Sequence, residues 1–111
     1  MIKELPGAER LLAAIAYKEI FMSSVTVFEL TLRKSNLKIA EDFISGTQVL
    51  SFNEREAKIA SSLEKGLSDR GLTIGWKDLF IAATAMANDC ELATLNRKDF
   101  ENIPGLRLVE F

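Results

Sequence analysis

The stretch Gly71–Phe100, GLTIGWKDLFIAATAMANDCELATLNRKDF, leaves few folds open to the chain. From Trp76 to Asn88 it reads as a helix whose Phe80, Ile81, Ala82, Ala85 and Met86 are apolar on nearly every side. A surface helix carries one apolar stripe, so a helix this widely apolar has to be covered by a sheet and by neighbouring helices together. Glu91 to Leu95 then reads as a short strand, closed by the polar cluster Asn96-Arg97-Lys98-Asp99. In open α/β sheets ligands bind beyond the carboxyl ends of the strands, which puts Asn96 and Asp99 where a site is expected.

The remainder supplies the layers that such a helix needs. Pro6-Gly7 punctuates the start, and Leu11, Leu12 and Ile15 recur at helical spacing through Tyr17. Glu19 to Ser23 is a short apolar strand, after which Ser23 or Ser24 offers an N-cap for a helix carrying Val25, Phe28 and Leu32. Ser35-Asn36 breaks the pattern; Leu37, Ala40, Phe43 and Ile44 make a third helix that Gly46 ends. Thr47 to Phe52 is a second strand. Asn53 with Glu56 is a capping-box start for a helix through Ala57, Ala60, Leu63 and Leu67. Its Glu54, Arg55, Glu56, Lys58, Glu64 and Lys65 are expected on a solvated face. Ile103-Pro104-Gly105 turns the chain into an edge strand, Leu106 to Phe111. This order argues for an α/β fold with a mainly parallel sheet. At 111 residues and 48% hydrophobic content, one core and one domain over residues 1–111 are expected.

The residue inventory removes much chemistry. There is no histidine, hence no usual general base, no usual zinc ligand and no Ser-His or Cys-His nucleophile. The single cysteine, Cys90, has no internal disulfide partner and is expected as a buried or half-buried thiol in a reducing cell interior. A net charge of −2 gives no whole-surface basic footprint for nucleic acid, so any such contact is local or helped by a metal. No apolar run reaches the roughly 20 residues of a membrane span, and Met1 to Pro6 lacks the order of a secretory signal. A cytoplasmic protein is expected.

Carboxylates are what remain. Asp78 lies in a first helical turn, where free N–H groups favour an ionised acid, and that alone makes it an ordinary helix-start residue. Glu29 sits among Val25, Val27, Phe28 and Leu30, and its bland reading is a solvated helix glutamate. Combined with Asn96 and Asp99 after a strand, the two place oxygen ligands from three elements at one edge of the sheet. Clustered carboxylates repel unless something positive sits among them. A hard cation, Mg²⁺ or Mn²⁺, suits such oxygens and supports phosphodiester hydrolysis without histidine. Trp76 is read as surface packing at a domain or dimer contact in preference to a base-stacking platform.

The phrases SSVTVFEL, then D-x-x-I-A-A-T-A from Asp78, A-T-x-N-x-x-D-F from Ala93, and IPGLRLVEF resemble the PIN domain, specifically the VapC-like toxins of prokaryotic toxin–antitoxin pairs. The resemblance runs over nearly the whole chain. It implies a three-layer α/β/α sandwich and a metal-dependent endoribonuclease acting on an RNA substrate, often a homodimer, inhibited by a cognate antitoxin. It matches Glu29 and Asp78 to the family's two central acids, Asn96 to the last metal-site position, Asp99 to a nearby acid of the same loop and Thr94 to a polar helper. It also implies an opening strand bearing an aspartate, in a phrase like D-T-N-V-L-I, which has no counterpart here; a gap is therefore expected mid-sheet. Two accounts of that gap follow: a chain begun or cut downstream of the strand, or a gap filled by pairing with another chain. Two functions stay open: the Mg²⁺/Mn²⁺-dependent ribonuclease, and a catalytically inactive PIN remnant acting as a dimerisation or antitoxin-binding module.

Overall fold

Ser23 ends a strand and starts a helix in one residue, and the architecture builds outward from that junction. In the computed structural model, which describes residues 6–111, helix α1 spans Pro6–Ile15, strand β1 Phe21–Ser23 and helix α2 Ser24–Thr31. The Ser23 hydroxyl oxygen accepts the Thr26 N–H at 3.0 Å, satisfying one of the orphan donors of the first turn. Helix α3 (Leu37–Ser45) begins after Asn36, whose φ of 57° sets the left-handed turn between helices. Gly46 closes it, as expected, at a φ of −90°, without using the left-handed freedom of glycine. Strand β2 is Gln48–Leu50, helix α4 Glu54–Asp69 and helix α5 Trp76–Ala87, and a 3₁₀ turn follows at Arg97–Asp99. The segment Met1–Leu5, with the sequence comparison made there, lies outside the described residues.

The capping box of α4 forms as the sequence predicts: the Asn53 N–H donates to Glu56 Oε1 at 3.0 Å. Glu56 itself is a correction to the expected solvated face. It is only 4% exposed, because reaching back over the helix start folds its side chain against the protein. The bond from the Asn53 backbone is the main reason its carboxyl is held below the ordinary value of 4.5, with its own N–H and the neighbouring Arg55, at 3.2 Å, adding to the effect. A lowered folded value means stability that is present above the unfolded value and lost as the pH falls through the folded one. Glu56→Ala is therefore expected to lower the melting temperature at pH 7, with the deficit closing on acidification below about pH 4. A deficit independent of pH, seen in paired melting curves, contradicts this role for the charge.

Helices α4 and α5 pack along their lengths. Between them lies the core of Ala60, Leu63 and Leu67 against Leu79, Ala82 and Ala83, closed by Phe100 and Ile103. The alanines let the helix backbones approach, and the buried Thr84 hydroxyl donates within α5 to the Phe80 carbonyl at 2.8 Å.

β1 and β2 pair in parallel, with Phe21, Met22 and Ser23 opposite Gln48, Val49 and Leu50. The two further strands expected at Glu91–Leu95 and Leu106–Phe111 shrink to one parallel bridge between Leu92 and Leu108. Leu92 donates to Arg107 O at 2.8 Å and accepts from the Val109 N–H at 2.9 Å, and no longer ladder follows among the described residues. A cavity of about 400 Å³ lies beside both pairings: its lining includes Phe21, Met22 and Ser23 together with Leu92, Ala93 and Val109. The two pairings thus face a common space rather than each other, and a two-stranded pairing without neighbours is marginal. Helices with parallel pairing make the α/β sandwich that the element order predicts.

Candidate active site

Because α2 leaves β1 directly, Glu29 falls in its second turn, half-buried, facing α5. Its Oε2 lies 3.4 Å from the Nζ of Lys77. α5 starts at Trp76 after Gly75, with its first helical bond from the Leu79 N–H to the Gly75 carbonyl at 2.9 Å, so Asp78 sits in the first turn. Desolvation raises the Asp78 carboxyl above its ordinary 3.8, and the negative charges of Asp99 and Glu29 raise it further, against an opposing pull from Lys77. Those causes locate three of the predicted acids in one electrostatic neighbourhood, drawn from α2, α5 and the 3₁₀ turn.

The turn is held from behind. Thr94 Oγ1 accepts the Asn96 N–H at 3.0 Å, which is a positioning contact for the residue that opens the turn. Arg97 reaches to the C-terminal segment: Nη1 donates to the Val109 carbonyl at 2.9 Å, Nη2 lies 3.6 Å from Glu110, and the guanidinium stands 5.9 Å from the Phe111 ring centroid. Asp99 and Asn96 are exposed. No contact among the described residues joins the Asn96 side chain to Asp78 or Glu29, so Asn96 shares the edge without being drawn into the cluster.

Oxygen donors of this kind fit a hard divalent cation, and their mutual repulsion calls for positive charge. Coordination geometry lags behind the charge: among the described residues no three acids or thiols gather around one point closely enough to hold a metal ion. The residue that sequence reasoning overlooked is Lys77. A lysine in a first helical turn opposes the macrodipole, and that mismatch was the available clue that an acid cluster stood in front of it. Trp76 is 73% exposed and borders a shallow groove between α4 and α5 whose floor includes the Phe52–Phe80 ring pair, 4.6 Å between centroids. Cys90 is a half-buried free thiol, as expected.

Acids carried by α2, by the first turn of α5 and by a post-strand turn, on an α/β sandwich, point to a class. The PIN domain profile matches residues 1–106, and the chain belongs to the PIN domain family. Within it the chain is similar to VapC proteins: it is 32% identical over 97 residues to the tRNA(fMet)-specific endonuclease VapC of Salmonella typhimurium, covering 81% of this chain and 74% of that one. Among solved structures it resembles VapBC2 from Rickettsia felis bound to a promoter DNA fragment, at TM-score 0.77 and 28% identity over 94% of this chain and 84% of that one. The DNA-bound VapBC of Salmonella typhimurium gives TM-score 0.79 at 26% identity, over 96% and 85% of the respective chains.

Proposed function

We propose that this chain is an endoribonuclease of the VapC toxin type, hydrolysing RNA phosphodiesters with Mg²⁺ or Mn²⁺ held by Glu29, Asp78, Asn96 and Asp99. The observation that carries the reading is geometric: Lys77 bridges α5 to Glu29 on α2 at 3.4 Å, with Asp78 next to it in the first turn of α5, and Asp99 and Glu29 both act on the Asp78 carboxyl. When bound, a divalent cation supplies Lewis acidity toward a phosphate oxygen and a water made acidic enough to attack. The protein's part is electrostatic. Glu29, Asp78 and Asp99 would hold the cation that offsets their own repulsion of an anionic backbone, and partial burial of Asp78 strengthens its attraction for a cation by excluding water. The exposed Asn96 adds a neutral oxygen at the turn. The names of the similar proteins, an endonuclease and VapBC complexes, support the same activity and an antitoxin as partner.

The test is cleavage of a structured RNA, such as a tRNA pool, by the purified chain. Cutting is expected with Mg²⁺ or Mn²⁺, stops with EDTA and returns when metal is added back. Cutting that persists in chelator sinks the metal-dependent mechanism.

A second reading, an inactive module that dimerises or binds an antitoxin, has one observation in its favour. Phe28 and Leu32 of the α2 end, with Ile39 and Phe43 on α3, are large apolar side chains left exposed on adjoining helices, a surface of the kind that marks a protein contact. Antitoxin binding and homodimerisation through these helices are compatible with the ribonuclease as well. Dimer or complex formation in the absence of any metal-dependent cleavage selects the module.

A further inference from the structure

We propose that Arg97 is a positioning residue: it latches the turn carrying Asn96 and Asp99 to the segment Val109–Phe111, so that the seating of that segment sets the placement of both side chains. The functional half of this rests on the ribonuclease reading above, while the latch rests on contacts alone. Val109 is held from two sides. Its N–H donates to the Leu92 carbonyl, ahead of the turn, at 2.9 Å, and its own carbonyl accepts from Arg97 Nη1, inside the turn, at 2.9 Å. A single buried residue, 5% exposed, therefore ties down both ends of the stretch from Leu92 to Arg97.

The backbone of Arg97 closes the turn on its other side. Its carbonyl accepts the N–H groups of Phe100 at 3.0 Å and Glu101 at 2.9 Å, and Phe100 belongs to the core between α4 and α5. Half-buried, the guanidinium combines the bond to the Val109 carbonyl with a place 5.9 Å from the Phe111 ring centroid. A planar cation donates in its plane while offering a face to a ring; the ammonium of lysine, a point charge, has no such face. The Glu110 carboxylate, 3.6 Å from Nη2 and largely in solvent, adds little. Asn96 stands next to Arg97 and Asp99 two positions on, both exposed. Among the described residues no hydrogen bond or ion pair holds either side chain, and the Thr94 hydroxyl reaches only the Asn96 backbone. Their placement therefore depends on the backbone of the turn, and the turn depends on Arg97.

The experiment compares the full chain with Arg97→Met, Arg97→Lys, Phe111→Ala and the double variant Arg97→Met/Phe111→Ala, each well below its melting temperature. Hydrogen exchange is read at the Phe100 and Glu101 amides, with the Leu79 amide at the start of α5 as reference. In Arg97→Met the turn amides are expected to exchange about tenfold faster, the scale of one lost hydrogen bond to a charged group. Phe111→Ala alters no residue of the turn, yet is expected to speed the same amides. Parental exchange of these amides in both variants overturns the latch. Cleavage of a tRNA pool in Mg²⁺ then reads function. In Arg97→Met kcat is expected to fall about tenfold to a hundredfold with KM unchanged, since a misplacement of about 1 Å is enough to cost about a hundredfold in rate. The double variant is expected to be no slower than Arg97→Met, because both substitutions break one contact, and Arg97→Lys recovers little. Parental kcat in Arg97→Met, or full activity in Arg97→Lys, overturns the positioning role. A raised KM with kcat kept makes Arg97 an RNA contact and overturns it as well. No cleavage by the parent chain overturns the ribonuclease reading, and the positioning role falls with it, whichever way the exchange comes out.

Discussion

Asp78→Asn is expected to lower metal-dependent RNA cleavage by more than about a hundredfold while leaving the metal-free protein at least as heat-stable as its parent at pH 7. The activity loss follows from the role proposed for Asp78 as a metal ligand: partners that merely orient a ligand cost about 10–100-fold when removed, and a direct ligand costs more. The stability gain follows from the sign of its shift. Desolvation, then Asp99 and Glu29, raise the folded value above the ordinary 3.8. An acid whose folded value lies above its unfolded one destabilises the fold when ionised, so the cost is present at neutral pH and disappears as the pH falls through the folded value. Asparagine keeps the shape and removes the charge. Melting curves in EDTA should therefore show the variant at or above the parent at pH 7, converging in acid. With Mn²⁺ added the order reverses, since a ligand for the folded state raises apparent stability only where it binds. A variant that cleaves RNA as the parent does removes Asp78 from the site.

Such a trade between function and stability was partly legible in the residues. Ser23 and the Asn53–Glu56 pair announce helix starts through bonds closed within three residues, and these local signals survive into the structure. The apolar girth of Trp76–Ala87 foretold a helix covered on several sides, and Leu79, Ala82 and Ala83 are buried accordingly. Most of what sequence reasoning missed is long-range. Glu91–Leu95 has strand composition, yet a ladder needs neighbours, and Leu92 finds one only at Leu108. Glu56 is the local exception: its capping box is legible in the chain, but the burial of its carboxylate that comes with the box is not. Lys77 gains Glu29 as a partner only through the approach of α2. For the site, the acid residues could be listed from the chain, but which of them share a neighbourhood depends on how three elements pack.

That packing is the subject of the second large effect. Leu79→Ala is expected to cost about 3 kcal/mol, within the 2–5 typical of a buried leucine cut to alanine. Leu79 is only 3% exposed and packs in the cluster with Leu63, Leu67 and Phe100. Its neighbours Ala82 and Ala83 are fully buried and too short to move into the space left behind, so little of the cavity collapses. For a domain of this size the melting temperature falls by on the order of 15 °C. Lys65→Ala serves as the control: Lys65 is exposed on α4, and its loss stays within about 0.5 kcal/mol. The same substitution reads the site, because Leu79 follows Asp78 in the first turn of α5. Loosening that turn admits water to Asp78, relieves the desolvation that is the largest cause of its raised value, and brings the carboxyl back toward 3.8. Carboxyl-carbon NMR titration of the metal-free protein measures this directly. Should the titration of Asp78 stay unmoved while the melting temperature falls, the core and the acid cluster are independent, and the apolar helix supports the fold without tuning the site.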